Sequence, residues 1–293
     1  MEVCKEMKIS TEIGSISRIV GEQKAVEYVA KAGFDGWDLS MLGMCRYSPS
    51  MGIWQEVDSP FAKPNYLAFV RELKQIGLDN GMVCNQSHAP FPLKWPGMMD
   101  YVKRALECAA EADCPICVVH PVNHLGPEEN AEIYHELLPL AKSFGIKIAT
   151  ENMWMWDKET DRSCFAACAT GKSFCDHIDV VADEDLVACL DIGHAEMVGS
   201  GDGAANMIYA LGHRLQALHI HDNDRWHDSH KLPFTMDIDF AAVAKALKDI
   251  GYSGWFTLEA DRHLADYEQE DVAAGVVEMA NAMRRFVELY ECV

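Results

Sequence analysis

Acidic and imidazole side chains stand at the ends of six successive apolar segments of the chain. In chain order, the six ends carry His88, His120, Glu151, Asp191, His221 and Glu259. His194 follows Asp191 by three residues, and the segment Asp228-Ser229-His230 follows His221. Apolar strands otherwise exclude these residue types, which are also those that bind divalent cations. Because a bound cation relieves the repulsion and desolvation of many titratable groups gathered in one place, the pattern predicts a metal site.

The residue types at these ends also restrict which metal is expected. Two glutamates, one aspartate and one histidine form an oxygen-rich set, which suits Mn²⁺, Mg²⁺ or Co²⁺ and leaves Zn²⁺ as a further candidate. The additional histidines His88, His120 and His230 favour Zn²⁺ at any additional position.

Short β-type segments alternate with helical periodicity along the chain. The predicted strands span 7–11, 36–40, 82–86, 116–120, 147–151, 187–191, 217–221 and 255–259. The predicted helices span 22–32, 66–76, 98–112, 128–144, 175–182, 204–212, 240–250 and 268–290. Apolar strands that alternate with helices indicate a parallel sheet buried on both faces. Eight such units favour a closed (β/α)8 TIM barrel of the α/β class, which we expect to form a single domain over residues 1–293.

In such a barrel the ends of the strands meet at one mouth, where catalytic residues lie. The six residues at the strand ends should therefore face one another. No GxGxxG follows the first strand and no GxxxxGK[ST] is present, so the motifs of dinucleotide and P-loop phosphate sites are missing.

Charge and cysteine content restrict partners and compartment. The 25 basic and 46 acidic residues leave a formal net charge of −21, which disfavours nucleic acid and anionic membranes as partners. The 11 cysteines are scattered and odd in number, which indicates a reducing, cytoplasmic environment. The spacing of Cys114 and Cys117 is that of a CxxC motif, but Cys117 begins an apolar segment and is interpreted as a buried strand cysteine. The N-terminal ten residues have no apolar signal core, and no apolar run is long enough to span a membrane.

Four motifs resemble those of the xylose-isomerase-like TIM barrels. They are ATEN around Glu151, LDIGHAEM with Asp191 and His194, HIHDND with His221, and FTLEAD with Glu259. The resemblance covers nearly the whole chain, in order. This superfamily includes ketose 3-epimerases, hydroxypyruvate isomerase, inosose dehydratase and endonuclease IV. The motifs are specific for the superfamily and leave the substrate open.

The ketose 3-epimerase branch implies one metal held by Glu151, Asp191, His221 and Glu259. In that branch the two glutamates also transfer protons. The metal polarises a sugar carbonyl, one glutamate removes the adjacent C–H proton to give a cis-enediolate, and the second returns a proton. Return to the other face gives epimerisation, and return to the neighbouring carbon gives isomerisation.

The same branch implies residues that contact the sugar. His194 would hold a substrate oxygen. An arginine usually stands six residues after the histidine of the seventh strand; counted from His221, that position is His227, and Arg225 is nearby. Trp154 and Trp156 follow the glutamate of the fifth strand, where they would either stack on a sugar face or pack at the barrel rim.

Three alternatives remain open. Endonuclease IV holds three zinc ions with nine ligands, and the chain offers a candidate for each: His88, His120, Glu151, Asp191, His194, His221, Asp228, His230 and Glu259. The acidic charge opposes this nuclease interpretation. A keto-sugar lyase like inosose dehydratase, or a subunit of a C-glycoside-cleaving enzyme, would use similar chemistry. The third alternative is a barrel that binds a sugar or metal without catalysis. We expect a small sugar-derived substrate and allow for a homo-oligomer.

Overall fold

A computed structural model describes residues 7–293 as an eight-stranded parallel barrel surrounded by helices. The barrel strands are β1 (Ile9–Glu12), β2 (Gly36–Ser40), β3 (Val83–His88), β4 (Ile116–Val118), β5 (Lys147–Glu151), β6 (Leu186–Asp191), β7 (Leu215–His219) and β8 (Phe256–Leu258). Strands β1 to β7 pair in sequence order, and β1 also pairs with β8. The barrel closes between β7 and β8, where the Ile220 N–H donates to the Thr257 carbonyl oxygen at 2.9 Å. The predicted α/β class and (β/α)8 barrel are confirmed.

The described residues form ten helices, of which the longer ones cover the outside of the barrel with an apolar face. They are α1 (Gly14–Val20), α2 (Glu22–Ala32), α3 (Tyr66–Asp79), α4 (Met98–Glu111), α5 (Pro127–Ser143), α6 (Gly171–Asp179), α7 (Ile192–Glu196), α8 (Ala204–Leu211), α9 (Phe240–Asp249) and α10 (Val272–Cys292). The long α10 packs against α2 and α9, next to the closure of the barrel. In the described part of the chain, no helix is long and apolar enough to cross a membrane.

The seventh strand begins and ends two residues earlier than the sequence predicts. β7 spans Leu215–His219, whereas residues 217–221 were expected. A short 3-10 turn over Gly212–Arg214 places Leu215 at the start of the strand. The register of β7 on β6 then pairs His219 with Asp191, so His219 ends the strand. His221 lies beyond the strand end.

Several elements were missed or shortened in the prediction. The short helices α1 and α7 were not predicted, nor were two hairpins, Arg46–Ser48 with Ile53–Gln55 and Trp154–Asp157 with Arg162–Phe165. β3 extends to His88, while β4 ends at Val118, so that His120 lies in the following loop. These differences concern loops at the mouth and leave the alternation of strands and helices unchanged.

The interior of the barrel is apolar on one side and polar on the other. Small apolar side chains fill the side formed by β4 to β7: Val118, Ala149, Val187, Cys189 and Ala217. Because side chains on one face of a strand recur every second residue, Glu151, Asp191 and His219 lie above Ala149, Cys189 and Ala217. On the opposite side, the buried Ser10, Asp38, Asn85, Gln86 and Thr257 form a polar layer.

Candidate metal centre

Four side chains from four strands converge at the barrel mouth. Glu151, Asp191, His219 and Glu259 each offer one ligand atom, and these atoms all lie within 4.8 Å of one another. Glu151, Asp191 and His219 end their strands, and Glu259 directly follows β8. We name this set the four-ligand group.

The histidine of the four-ligand group is His219, whereas the sequence prediction chose His221. His219 Nδ1 lies 3.2 Å from Glu151 Oε2 and 3.3 Å from Glu259 Oε2. The prediction placed the correct residue type on the correct strand, but two residues too far along, because β7 begins earlier than expected. The structure therefore places His219, and not His221, in the four-ligand group, and metal binding by either histidine stays a prediction.

His221 belongs instead to a second cluster beside the first. Ligand atoms of His194, His221, Asp228 and His230 all lie within 4.8 Å of one another. The rings of His221 and His230 stack with centroids 3.9 Å apart, and His221 Nε2 lies 3.0 Å from Asp191 Oδ1. Asp191 therefore connects this second group to the four-ligand group.

Two histidines of the second group have a proton position determined by the backbone. His194 Nδ1 donates to the carbonyl oxygen of Asn152 at 2.9 Å, and His230 Nδ1 donates to the carbonyl oxygen of Glu259 at 2.8 Å. When such an imidazole is neutral, its Nε2 carries a free lone pair. Both Nε2 atoms face Asp228 Oδ2, that of His194 at 3.5 Å and that of His230 at 3.1 Å. Outer hydrogen bonds of this kind are the usual way to orient metal-binding histidines.

A third cluster lies on the other side of Glu151. His88 Nδ1 donates to the Ala89 carbonyl oxygen at 2.9 Å, which leaves His88 Nε2 directed at His120 Nε2, 2.9 Å away. His120 Nε2 is also 3.1 Å from Glu151 Oε2. His88, Glu151 and His219 have ligand atoms within 4.8 Å of one another. The structure thus brings together the predicted additional ligands in two groups: His88 with His120, and Asp228 with His230.

The two glutamates have opposite pKa shifts in this environment. Burial raises the pKa of Glu259 to about 7, although His219 and His230 oppose the shift. Burial also acts to raise the pKa of Glu151, but the adjacent His219 and His120 outweigh it and hold this pKa well below its usual range. Burial likewise lowers the pKa of His120 to about 4. The mouth therefore contains one readily ionised glutamate, Glu151, and one readily protonated glutamate, Glu259.

The side chains of the mouth fit a divalent cation. Within residues 7–293, Asp191 Oδ2, His219 Nδ1 and Asp228 Oδ1 are buried and have no hydrogen-bond partner. Buried polar atoms normally have a partner, so unpartnered atoms in two adjacent clusters of metal-binding residue types need an explanation. A bound cation provides one, and a set of three carboxylates and one imidazole suits Mn²⁺, Co²⁺, Mg²⁺ or Zn²⁺.

The predicted substrate residues occupy different positions around the mouth. His194 lies inside the second group. Counted from His219, the position six residues on is Arg225, whose Nε lies 3.5 Å from Glu196 Oε2. His227 is largely exposed and pairs with Asp224. The Trp154 ring lies 6.4 Å from the His194 ring, and Trp156 stacks on His227 at 6.2 Å. Both tryptophans belong to a hairpin at the rim.

A cavity of about 300 Å³ opens beside His120. Its walls include Phe91, Met153 and Met155, with Lys94 at the edge. The Phe91 ring packs on the His120 ring with centroids 4.2 Å apart. The mouth therefore continues from the four-ligand group, past His120, into a mainly apolar recess.

Sequence reasoning missed three residues that shape the site. His219 could have been found, since HIH places two histidines in the seventh strand region and either could be the ligand. Asp38 is buried in the middle of β2, where no local pattern relates it to β7. Gly193 allows close packing, because a Cβ there would lie 1.9 Å from His221 Cε1.

Comparison with known proteins agrees with this architecture. The chain is 24% identical over 275 residues to an uncharacterized protein of Methanocaldococcus jannaschii, covering 88% of this chain and 85% of that protein. A crystal structure of a D-tagatose 3-epimerase-like protein superimposes with a TM-score of 0.72 at 21% identity, covering 97% of this chain and 98% of that one. An L-ribulose 3-epimerase structure superimposes with a TM-score of 0.70 at 14% identity, covering 97% and 96%. The sequence profile described as "Xylose isomerase-like TIM barrel" matches residues 26–285. The chain therefore belongs to the xylose isomerase-like TIM barrel family.

Proposed function

We propose that the protein is a divalent-metal-dependent isomerase or epimerase that acts on a sugar, a sugar phosphate or a polyol-derived ketone. One observation carries the proposal: two glutamates share a single buried group with an aspartate and a histidine at the barrel mouth. Structural similarity to a D-tagatose 3-epimerase-like protein and to an L-ribulose 3-epimerase supports a carbohydrate substrate.

The proposed resident cation is held by Glu151, Asp191, His219 and Glu259. Mn²⁺, Co²⁺, Mg²⁺ and Zn²⁺ are the candidates for this ligand set. When bound, such a cation supplies Lewis-acid polarisation of a substrate carbonyl, which acidifies the adjacent C–H bond.

Glu151 and Glu259 are the proposed acid–base pair. They come from β5 and β8 and flank the positions of Asp191 and His219 on β6 and β7. In the proposed reaction, one carboxylate accepts the proton from the carbon next to the carbonyl, and the resulting cis-enediolate receives a proton from the other carboxyl group. Delivery to the opposite face of the same carbon inverts it, and delivery to the neighbouring carbon moves the carbonyl.

The substrate contacts are assigned to residues at the rim. His194 and Arg225 are proposed to hold substrate oxygens, with His227 as a more exposed contact. Trp154 and Trp156 form one wall, where their rings would cover an apolar face of a sugar. The small sugar-derived substrate, the cytoplasmic location and a homo-oligomeric state remain part of this proposal, as does the expectation that nucleic acid and membranes are not partners.

A second candidate function rests on the two additional histidine-rich clusters. If His88 and His120, or Asp228 and His230, hold further Zn²⁺ ions, the mouth resembles the multinuclear set of endonuclease IV and favours phosphodiester hydrolysis. The net charge of −21 opposes the binding of a phosphate backbone, so this candidate ranks second. A keto-sugar lyase or a C-glycoside-cleaving subunit would use the same glutamate pair and differ in the group that leaves.

The test combines metal content with proton exchange. Protein purified without added metal or chelator is analysed by plasma mass spectrometry, and ketoses and inososes are then incubated with it in D₂O. We expect about one Mn, Co, Mg or Zn ion per chain at the four-ligand group and deuterium incorporation next to the carbonyl. Glu151→Gln and Glu259→Gln should each lower this exchange by about 10²- to 10⁴-fold, since each removes a proton-transferring group.

Glu132→Gln is the matched control, because Glu132 is exposed on α5, away from the mouth. It should exchange at the wild-type rate. Wild-type exchange in Glu151→Gln or Glu259→Gln would remove that residue from proton transfer. Two or three zinc ions per chain, together with salt-sensitive binding of abasic duplex DNA, would favour the nuclease instead. A chain that holds no metal after reconstitution would contradict the proposal.

A further inference from the structure

A carboxylate lies below the four-ligand group and has no part in the function proposed above. Asp38 is on β2 and is only 1% exposed. The interior of a TM barrel is normally packed with branched apolar side chains. A buried carboxylate is costly unless charged or hydrogen-bonding groups compensate it, so its position calls for a partner.

Asp38 makes one hydrogen bond and faces one imidazole. Its Oδ2 accepts a hydrogen bond of 2.8 Å from Gln86 Nε2, and the same oxygen lies 3.7 Å from His219 Nε2. In the described part of the chain, Asp38 Oδ1 and both ring nitrogens of His219 have no hydrogen-bond partner. Within the described residues, Asp38 is the carboxylate that faces Nε2 of His219, and the Cys189 thiol on the neighbouring strand also interacts with the ring.

The two nitrogens of His219 face chemically different surroundings. Nδ1 is directed to the metal side, 3.2 Å from Glu151 Oε2 and 3.3 Å from Glu259 Oε2. Nε2 is directed to Asp38. An imidazole that binds a cation through Nδ1 must carry its remaining proton on Nε2, and an acceptor at Nε2 selects that form and orients the ring.

We infer that Asp38 is the positioning residue of the metal centre: it holds the proton of His219 on Nε2 and thereby directs the Nδ1 lone pair at the cation. The gap of 3.7 Å is longer than a hydrogen bond, and bonds at such sites commonly tighten when the ligand is bound. The polar layer of the barrel holds the carboxylate in place, since Gln86 Oε1 in turn accepts from Thr257 Oγ1 at 3.2 Å. The part of this inference that concerns the cation rests on the proposed function, whereas the part that concerns the proton on Nε2 does not.

The experiment measures metal affinity and proton position separately. Co²⁺ is titrated into metal-free protein and followed by its visible absorption, and the signal of this site is identified by its loss in His219→Ala. Asp38→Ala should weaken Co²⁺ binding by about 10- to 100-fold, the usual effect of losing an outer carboxylate. Asp38→Asn keeps a hydrogen-bond acceptor without the charge, so it should weaken Co²⁺ binding less than Asp38→Ala does.

Long-range ¹H–¹⁵N spectra of metal-free protein report the proton on His219 directly. Wild type should show a protonated Nε2, and Asp38→Ala should shift the proton towards Nδ1, which faces Glu151 and Glu259. Ser10→Ala is the control: it removes a hydroxyl group of the same polar layer that donates to Thr257 Oγ1 and leaves the hydrogen bonds of Gln86 with Thr257 and Asp38 in place. It should keep both the wild-type Co²⁺ affinity and a protonated Nε2.

The outcomes distinguish this inference from the proposed function. An unprotonated Nε2 in the wild type, or a wild-type Co²⁺ affinity in Asp38→Ala, would overturn the positioning role. An equal loss of affinity in Ser10→Ala would show that the effect of Asp38→Ala is general damage to the polar layer, and would also overturn the positioning role. If the wild type binds no Co²⁺, the metal centre fails, and the nitrogen spectra alone decide the role of Asp38.

Discussion

Two histidines separated by a single residue have different surroundings at the mouth. His219 ends β7 and points its Nδ1 at Glu151 and Glu259. His221 follows the strand, stacks on His230, and places its Nε2 3.0 Å from Asp191 Oδ1. Asp191 connects the two groups through its contact with His221. Burial acts to raise the pKa of Asp191, but His194 and His221 outweigh it and lower this pKa to about 2. The aspartate is thus an anion that can serve either group.

Substitution of each histidine separates their roles. We expect His219→Ala to abolish Mn²⁺ retention and turnover, a larger loss than the roughly 10- to 100-fold effect of an outer partner, because a direct ligand is removed. His221→Ala should keep the ion of the four-ligand group and lose any additional ion. Metal analysis and exchange assays on both variants check this, with thermal unfolding as a control for folding. If His221→Ala lost the ion of the four-ligand group while His219→Ala retained it, the assignment of His219 to that group would be contradicted.

The loop between β7 and α9 carries three of the four residues of the second group, His221, Asp228 and His230, and is organised by one aspartate. Asp222 Oδ2 accepts backbone N–H groups from Thr235 at 3.0 Å and Met236 at 2.8 Å. Its Oδ1 accepts from Ile238 at 3.1 Å. The backbones of Asp222 and Lys231 also exchange two hydrogen bonds. These bonds fold the loop back on itself, so that Asp228 and His230 return to the mouth.

Removal of this carboxylate should loosen the loop and the second group together. Asp222→Ala leaves the buried N–H group of Ile238 and the partly buried N–H groups of Thr235 and Met236 without an acceptor, and we expect it to lower the free energy of unfolding by about 2–4 kcal/mol. Urea unfolding of metal-free protein measures the loss. Asp237→Ala, at an exposed position of the same loop, is the control and should change stability little. Equal stability of Asp222→Ala and wild type would show that the loop is held by other contacts.

At the scale of the whole molecule, most of the described cysteines are buried in the packed interior. Ten of them lie in the described residues and are free thiols, while Cys4 lies outside those residues. Cys108 and Cys117 are buried in the core, and Cys292 is exposed at the end of α10. Burial raises the pKa of the Cys108 thiol to about 12 and that of Cys117 further. The position of Cys117 within β4 and its complete burial confirm that it is a buried strand cysteine.

Alkylation should follow this distribution. Because only the thiolate reacts and a raised pKa leaves less of it, iodoacetamide at pH 8 should modify Cys292 much faster than Cys108 and Cys117. In urea, all three thiols should react at similar rates. Peptide mass spectrometry over time compares them. Rapid modification of Cys117 in folded protein would mean that the barrel opens locally at β4.

The sequence by itself determined the succession of strands and helices. Apolar segments of strand length alternate with helical periodicity, a local pattern, and two strands, Gly36–Ser40 and Lys147–Glu151, have the predicted bounds. Alternation also sufficed to place Glu151, Asp191 and Glu259 at one mouth, because parallel strands of a barrel end on the same side.

Only the tertiary structure decided which residues share a group. In the sequence His219-Ile220-His221, either histidine could end the seventh strand. The pairing of β6 with β7 places His219 beside Asp191, so His219 is the one that ends it. A shift of register changes which side chains meet, and register depends on the neighbouring strand rather than on the local sequence. Asp38 illustrates the same limit: it reaches His219 across the barrel interior, from a strand far away in the chain. Local sequence patterns determined where strands and helices form, and the packing between these elements determined which side chains meet at the mouth.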